Sequence, residues 1–571
     1  MTKRAVGAWL VAAGVIKVLI LIQLADHPLL RPEGELDSGY YVTLARQAAS
    51  GDWALGHRVF FVSPLYVYFL ASLFAVGASM FVVQVVQVAL GTAAVALVWS
   101  AARCWFDERT AFVAAALMAA TGYLTFNEIL ILQSSLDPFL AALSLLCLSR
   151  ACRSERPVWW AATGCTLALH ALNRPNVLVP AGVLGGFFLV RHVWVAVRQP
   201  ARRADWGVTI AFVAGLALGL FPVTVRNAMV AGEFAPVSSH GGLNFYIGNN
   251  AQADGTYRHI PGIAPSVAGQ DRDARRVAEA AEGRALSDTE VSRHFYALGL
   301  SWMANEPAAA LGLLARKLAY TVNAADVSLN FSYAFYRSDA GTLLPFLFVG
   351  PSLLLPFGFF GWLVAAPRRL MKDEPAAACA LRARWWLWST YVPAYTLSVA
   401  IFFVAGRYRL PMLVALCVMA APALVWLVDV ARRRLLVAEW RSILVLVVLA
   451  ALTHWPTGLD DGRDTEGGAM VTALIDARRD PQALALLQRL ERSSRRPADL
   501  IAGAAQVFAE RGEREQSLAL VQRAGTLAPA DDPVNAILGE ALSAAGRSAD
   551  AIPYLQRAVD RRFHGPRSAI T

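Results

Sequence analysis

Two isolated carboxylates and a small set of arginines are the residues in this sequence with the most chemical promise. Asp37 lies in the stretch 34–53, GELDSGYYVTLARQAASGDW, directly after the first apolar run. A carboxylate held at a membrane surface is costly and suggests a site. Glu33, Glu35 and Asp37 also read as a solvated connection leading into a short amphipathic helix. Asp137, in QSSLDPFL, falls in the outer part of an apolar run, where a carboxylate needs a partner; Asp followed by Pro is equally a helix start. Arg407 and Arg409, in GRYRLP, place two guanidiniums in one short turn. Such a pair suits a phosphate or pyrophosphate, which arginine grips with paired hydrogen bonds, or else anchors lipid headgroups. Arg174 in LNRPNV and Arg226 in TVRN are either site cations or snorkelling residues at helix ends.

These groups belong together only if the chain brings them to one face of a membrane. At 571 residues with 56% hydrophobic content, the sequence reads as a polytopic membrane protein. The net charge of +10 comes mostly from Lys and Arg in short turns between apolar runs, so it reports orientation and gives no basis for nucleic-acid binding. The six cysteines form neither a disulfide framework nor a CxxC metal spacing. His57, His240, His259 and His294 share no metal-binding spacing, so a divalent metal is unsupported and no cofactor is expected.

Lys3 and Arg4 put the N-terminus in the cytoplasm, ahead of a retained signal anchor. If the apolar stretch 59–78 crossed the bilayer, four clusters would land outside: Arg103/Arg109, Arg150/Arg153/Arg156, Arg191/Arg198/Arg202/Arg203 and Arg368/Arg369/Lys372. If 59–78 stays on the outer side, all four are cytoplasmic. That choice gives about eleven spans, at 5–24, 81–101, 111–126, 131–149, 158–172, 177–195, 207–226, 343–365, 385–404, 411–430 and 440–455. The odd count carries the C-terminus to the outer side with Asp37.

The expected fold is all-α: a membrane domain over 1–456, with outer loops 26–80 and 231–342, and a helical domain over 464–571. Turn signals fill 231–307, Ser287 and Glu290 form a capping box, and 308–325 with Arg316 and Lys317 reads as an interfacial helix. Beyond 457 a 34-residue period appears: Ala483, Ser517 and Ala551, then Leu487, Val521 and Leu555, then Leu490, Ala524 and Ala558. With Gly512, Gly546 and Pro529 at the turns, this resembles tetratricopeptide repeats.

The acidic stretch after the first span, the helix YYVTLARQAASGDW, SPLYVYFL and LDPFL resemble the GT-C integral-membrane glycosyltransferases, nearest to the protein O-mannosyltransferases and lipid A aminoarabinose transferase of family 39. NRPN, TVRN, GGLNFYIGNNAQADGTY and RYRLP resemble a bacterial branch of that group, which often bears such repeats. The resemblance implies inverting hexosyl or pentosyl transfer from a polyprenyl-phosphate sugar on the outer face of the bacterial cytoplasmic membrane. A glycan, lipid or protein is the acceptor, and the repeats offer a surface for a protein partner. Asp37 matches the catalytic carboxylate and Asp137 a second recurring Asp. Arg407, Arg409, Arg174, Lys317, Tyr40 and Asn249 are the candidate substrate-binding residues. Where those relatives carry Glu-Lys before Pro-Pro-Leu, this chain has Phe61-Val62-Ser63-Pro64-Leu65, so metal dependence and donor identity do not carry over. A membrane polysaccharide polymerase or ligase is the nearest rival. A transporter fits less well without related halves, and eleven spans are excessive for a scaffold's anchor.

Overall fold

The computed structural model describes residues 3–32, 37–154, 156–198, 206–370, 375–527 and 534–564. Glu33, Glu35 and Lys372 lie outside them. The described residues form helices and turns, without a strand ladder. In order they are α1 (Lys3–Leu24), α2 (Asp37–Ala49), α3 (Pro64–Ala75), α4 (Met80–Arg103), α5 (Glu108–Ala119), α6 (Gly122–Ile129), α7 (Asp137–Ser154), α8 (Pro157–Asn173), α9 (Leu178–Arg198) and α10 (Gly207–Ala231). Next come α11 (Gly241–Gly248), α12 (Val267–Glu282), α13 (Asp288–Asn305), α14 (Pro307–Thr321), α15 (Tyr333–Ser338), α16 (Pro351–Phe360), α17 (Ala366–Leu370), α18 (Pro375–Ser389), α19 (Tyr391–Ala400), α20 (Leu410–Arg432) and α21 (Trp440–Thr453).

The chain is a multi-pass membrane protein. Six helical stretches, in α1, α4, α7, α9, α10 and α20, are long and apolar enough to cross a bilayer. The other five expected spans are helical but shorter or broken. The 111–126 run, for instance, divides between α5 and α6, with Thr121 at the break paired to Phe348. α3 has twelve residues, about 18 Å of helix, against a hydrocarbon core of about 30 Å. Its length suits a helix that does not cross.

Local signals explain the ends. Ser79 caps α4, Asp107 caps α5 and Ser266 caps α12, each accepting a backbone N–H. The Ser287–Glu290 capping box opens α13. Small residues set the packing of α8 on α10: a Cβ at Gly164 or Gly215 would collide with the facing backbone.

Deep in the membrane domain, Lys17 of α1 pairs with Glu128 of α6 at 2.6 Å, both side chains essentially without exposure. Gly91 of α4 leaves the space that the Glu128 carboxylate fills. Beside it Gln84 donates to Ile129 O at 3.0 Å, while Gln87 donates to Glu128 O at 2.9 Å and Leu130 O at 3.0 Å. These side chains satisfy the carbonyls that the end of α6 leaves open, which hydrocarbon cannot do.

The chain divides into two compact units. The first holds the membrane helices and the cavity described below. The second combines 460–571 with Asp26–Arg31 and Phe331–Thr342, two segments that the sequence reading leaves in the outer loops. Its C-terminal part contains α22 (Arg463–Asp476), α23 (Asp480–Glu491), α24 (Pro497–Glu510), α25 (Arg514–Leu527), α26 (Val534–Ala544) and α27 (Ser548–His564). Within this unit Glu466 accepts hydrogen bonds from Tyr336 Oη at 2.5 Å and Ser332 N at 3.1 Å, and Arg463 pairs with Asp339 at 2.7 Å. Burial pushes the Glu466 carboxyl up.

Removing one partner of a buried ion pair leaves the other charge uncompensated, at a typical cost of about 3–5 kcal/mol. Lys17→Met is therefore expected to lower unfolding stability in detergent by that order, and Lys17→Met with Glu128→Gln to recover most of it. A single variant as stable as the parent protein would show that the pair holds nothing.

Candidate functional site

A cavity of about 430 Å³ lies within the first unit. Asp37 and Tyr41 reach it from α2, and Val62 and Ser63 from the turn before α3. Gln133, Arg174 and Asn176 line a second side, and Phe402, Phe403, Arg407 and Tyr408 a third. The long connection after α10 closes it with His240, Asn244, Tyr257, Gln270 and Asn330.

Asp37 is the first residue of α2, where a carboxylate suits the positive end of the helix dipole. Arg407 Nη2 donates to its Oδ2 at 2.8 Å. The Arg407 Nε is buried without a hydrogen-bond partner among the described residues, and the guanidinium also lies 5.5 Å from the centroid of the Tyr408 ring. Gly406 makes the placement feasible, because a Cβ there would collide with Tyr123 Oη and the Asp326 carboxylate.

Arg174 is the second cation on the wall, and Asp137 sets its position from behind. Asp137 is fully buried and absent from the cavity lining. Its Oδ2 accepts from Arg174 Nε at 2.7 Å and its Oδ1 from Asn173 Nδ2 at 2.8 Å. The Arg174 guanidinium also lies over the Tyr408 ring, 4.9 Å from its centroid. Asp137 thus contributes through Arg174; the sequence NRPN supplies Asn173 and Arg174, and His170 Nε2 lies 3.5 Å from the Asp137 Oδ1.

The structure separates the other candidates from the cavity. Arg409 does not join Arg407. It is buried and donates to Asn323 O at 2.6 Å and Ala325 O at 2.8 Å. The reason is local: Gly406–Arg409 is a 3₁₀ turn, in which residues two apart face in different directions. Lys317 donates to Asn249 Oδ1 at 2.8 Å, and Asn249 Nδ2 in turn reaches Ile401 O at 2.9 Å. This pair braces α11 and α14 behind the wall, and burial holds the Lys317 ammonium down to about 8. Tyr40 is off the cavity and burial pushes its phenol up to about 12. Its neighbour Tyr41 lines the site instead and donates to Gln133 Oε1 at 2.8 Å. Arg226 holds the 54–58 loop by donating to Ala54 and Arg58 carbonyls and stacks on Phe60 at 3.9 Å.

Sequence reasoning missed Tyr41, Gln133, Asn244, Tyr257, Gln270 and Tyr408 as wall residues. Tyr408, between two arginines, carried the one readable signal. Among the described residues no cluster of three His, Cys, Asp or Glu is placed to hold a metal.

Residues 62–222 match the family model described as dolichyl-phosphate-mannose-protein mannosyltransferase. The matched segment includes Val62, Ser63, Gln133 and Arg174 of the cavity wall and agrees with the GT-C resemblance carried by SPLYVYFL, LDPFL and NRPN. Among solved structures the chain aligns with ArnT from Cupriavidus metallidurans bound to undecaprenyl phosphate, at 14% identity over 99% of this chain and 79% of that one, TM-score 0.40. It also aligns with the oligosaccharyltransferase of Archaeoglobus fulgidus in the apo form, at 16% identity over 81% and 57%, TM-score 0.40. A third alignment is with AglB of that organism in complex with an inhibitory peptide and a dolichol-phosphate, at 17% identity over 83% and 59%, TM-score 0.36. The chain thus spans little more than half the length of the archaeal proteins. No curated protein matches it.

The two arginines of the RYRLP turn should behave differently when removed. Arg409→Ala strands one buried and one part-buried carbonyl and is expected to cost about 1–3 kcal/mol of stability. Arg407→Ala, at a partly open site, should melt closer to the parent protein. Thermal unfolding of the two purified variants checks this, and a reversed order would overturn the assignment.

Proposed function

We propose that this protein is an inverting glycosyltransferase, moving a sugar from a polyprenyl-phosphate donor to an acceptor on the outer face of the cytoplasmic membrane. The observation that carries the reading is the Asp37–Arg407 pair, a carboxylate and a guanidinium facing one cavity with Arg174 nearby. The family match supports a lipid phosphate as the donor's leaving group.

In the proposed reaction the acceptor hydroxyl gives its proton to an Asp37 carboxylate oxygen. The hydroxyl oxygen attacks the anomeric carbon from the side opposite the phosphate, which inverts that centre. The bond from anomeric carbon to phosphate oxygen breaks, and its electron pair leaves on the phosphate. That anion is already stable, so it needs cations more than a general acid. Arg407 and Arg174, both on the cavity wall, supply them. Asp137 and Asn173 hold Arg174 in place.

Arg407 also links the two substrates. Donor phosphate competes with Asp37 for Arg407, so arrival of the leaving group frees the Asp37 carboxylate oxygen to meet the acceptor hydroxyl.

In this reading the C-terminal helices are tetratricopeptide repeats on the outer side, recruiting a glycan, lipid or protein acceptor. The N-terminus is cytoplasmic.

Asp37→Asn keeps size and hydrogen bonding but removes basicity. Loss of a general base typically costs on the order of 10²–10⁴ in rate. We expect Asp37→Asn to lose transfer by that order while still binding polyprenyl phosphate. Parental turnover in this variant would remove Asp37 from the reaction.

A further inference from the structure

The charged side chains on the cavity wall are already matched. Asp37 faces Arg407, and Arg174 faces Asp137 behind the wall. The wall from the long connection after α10 differs in kind. Gln270 of α12 is its hub, and its amide nitrogen donates to Pro265 O and Tyr257 Oη, both at 3.1 Å. Pro265 O can only accept, so the amide orientation is fixed and Gln270 Oε1 must face His240 Nε2, 2.8 Å away. His240 Nε2 therefore carries the proton. Burial holds its imidazole below the usual range, leaving the ring neutral. The ring stacks on Phe61 with centroids 4.3 Å apart. One turn on, half-buried Asn244 adds a donor and an acceptor without charge.

We propose that this uncharged wall, organised by Gln270, is the subsite for the transferred sugar and selects a neutral sugar ring over an amino sugar or a hexuronic acid. The inference rests on the reading of the cavity as a sugar-transfer site. A neutral sugar offers hydroxyls that both donate and accept, and C–H faces that pack on rings such as Tyr257 and Phe403. Against His240, Asn244, Tyr257 and Gln270 themselves a sugar ammonium meets no carboxylate and a sugar carboxylate no cation; the charged lining residues Asp37, Arg174 and Arg407 come from other elements of the cavity. Burying a charge without a partner is far more costly than burying a hydrogen-bonded hydroxyl. A wall built for hydroxyls also rejects a ligand that leaves its polar groups unpaired.

The test uses the full-length protein in detergent with polyprenyl phosphate, bare or carrying a neutral hexose, an amino sugar or a hexuronic acid. Sugar-free polyprenyl phosphate should bind, and the neutral hexose should be transferred at least about tenfold better than either charged sugar, as the charge penalty requires. Gln270→Ala should raise KM for the neutral donor about tenfold, the scale of one or two lost hydrogen bonds, with binding of bare polyprenyl phosphate unchanged. Asn244→Asp places a carboxylate in the wall and should shift preference toward the amino sugar. If Gln270→Ala does not fold, the Asn244→Asp comparison decides. A parental preference for a charged sugar, or an Asn244→Asp protein with unaltered preference, overturns the subsite while leaving sugar transfer standing. Failure of bare polyprenyl phosphate to bind overturns the sugar-transfer reading itself, and the subsite with it.

Discussion

The contact between Asp37 and Arg407 is the constraint on which the site depends, because it joins parts of the chain 370 residues apart at one cavity. Neither residue could hold the arrangement alone. Asp37 opens α2, which follows the first membrane helix in the chain. Arg407 sits in a single 3₁₀ turn ahead of α20, and that turn is locked from both sides. Gly406 admits Tyr123 and Asp326 on one side, and Arg409 clamps the Asn323 and Ala325 carbonyls on the other. The rigidity of this turn holds one guanidinium facing a carboxylate.

Arg174 reaches the same cavity by another route. The short connection between α8 and α9 carries Asn173, Arg174 and Asn176, and each has a distinct anchor. Asn173 binds Asp137, Arg174 binds the same carboxylate, and Asn176 donates to Ser398 O at 2.9 Å. The cation is thus pre-aimed before any ligand arrives. Pre-aimed dipoles and charges are the cheapest source of stabilisation for charge that develops on a leaving group, because no reorganisation accompanies the reaction.

Much of this was legible in the sequence because membrane topology is written in composition. The apolar runs, the basic turns and the resulting common face of Asp37, Arg174 and Arg407 follow from hydropathy and charge. The capping box at Ser287 and Glu290 was equally readable, since its two side chains and their spacing are the structure. Facing within a turn was not. Tyr40 and Tyr41 differ by one helical step, Arg407 and Arg409 by two residues of a 3₁₀ turn, and in both cases one lines the cavity and the other does not. Lys317 and Asn249 were reasonable polar candidates, but a loop sequence does not show that Lys317 donates to Asn249 and that Asn249 in turn donates to backbone carbonyls. The wall built by Gln270 was illegible for a related reason. Its partners His240, Tyr257 and Pro265 come from separate turns with no common spacing.

Three ion pairs in the first unit also decide which carboxylate is the better base. Lys17 and Glu128 are 1% and 0% exposed, and Arg174 and Asp137 are 3% and 0% exposed. Arg407 and Asp37, in contrast, are 12% and 22% exposed. A general base must come within hydrogen-bond reach of the acceptor hydroxyl. Glu128 and Asp137 meet only their own partners, so each is spent on holding helices or aiming a cation. Asp137 would also have to give up Arg174, leaving a buried guanidinium uncompensated at the moment the leaving group needs it. Asp37 alone of the three combines access, a partner that an incoming phosphate can draw away, and a place on the cavity wall. The gradient from sealed pair to accessible pair thus separates the carboxylates that hold helices or aim a cation from the one able to act as base in the proposed transfer.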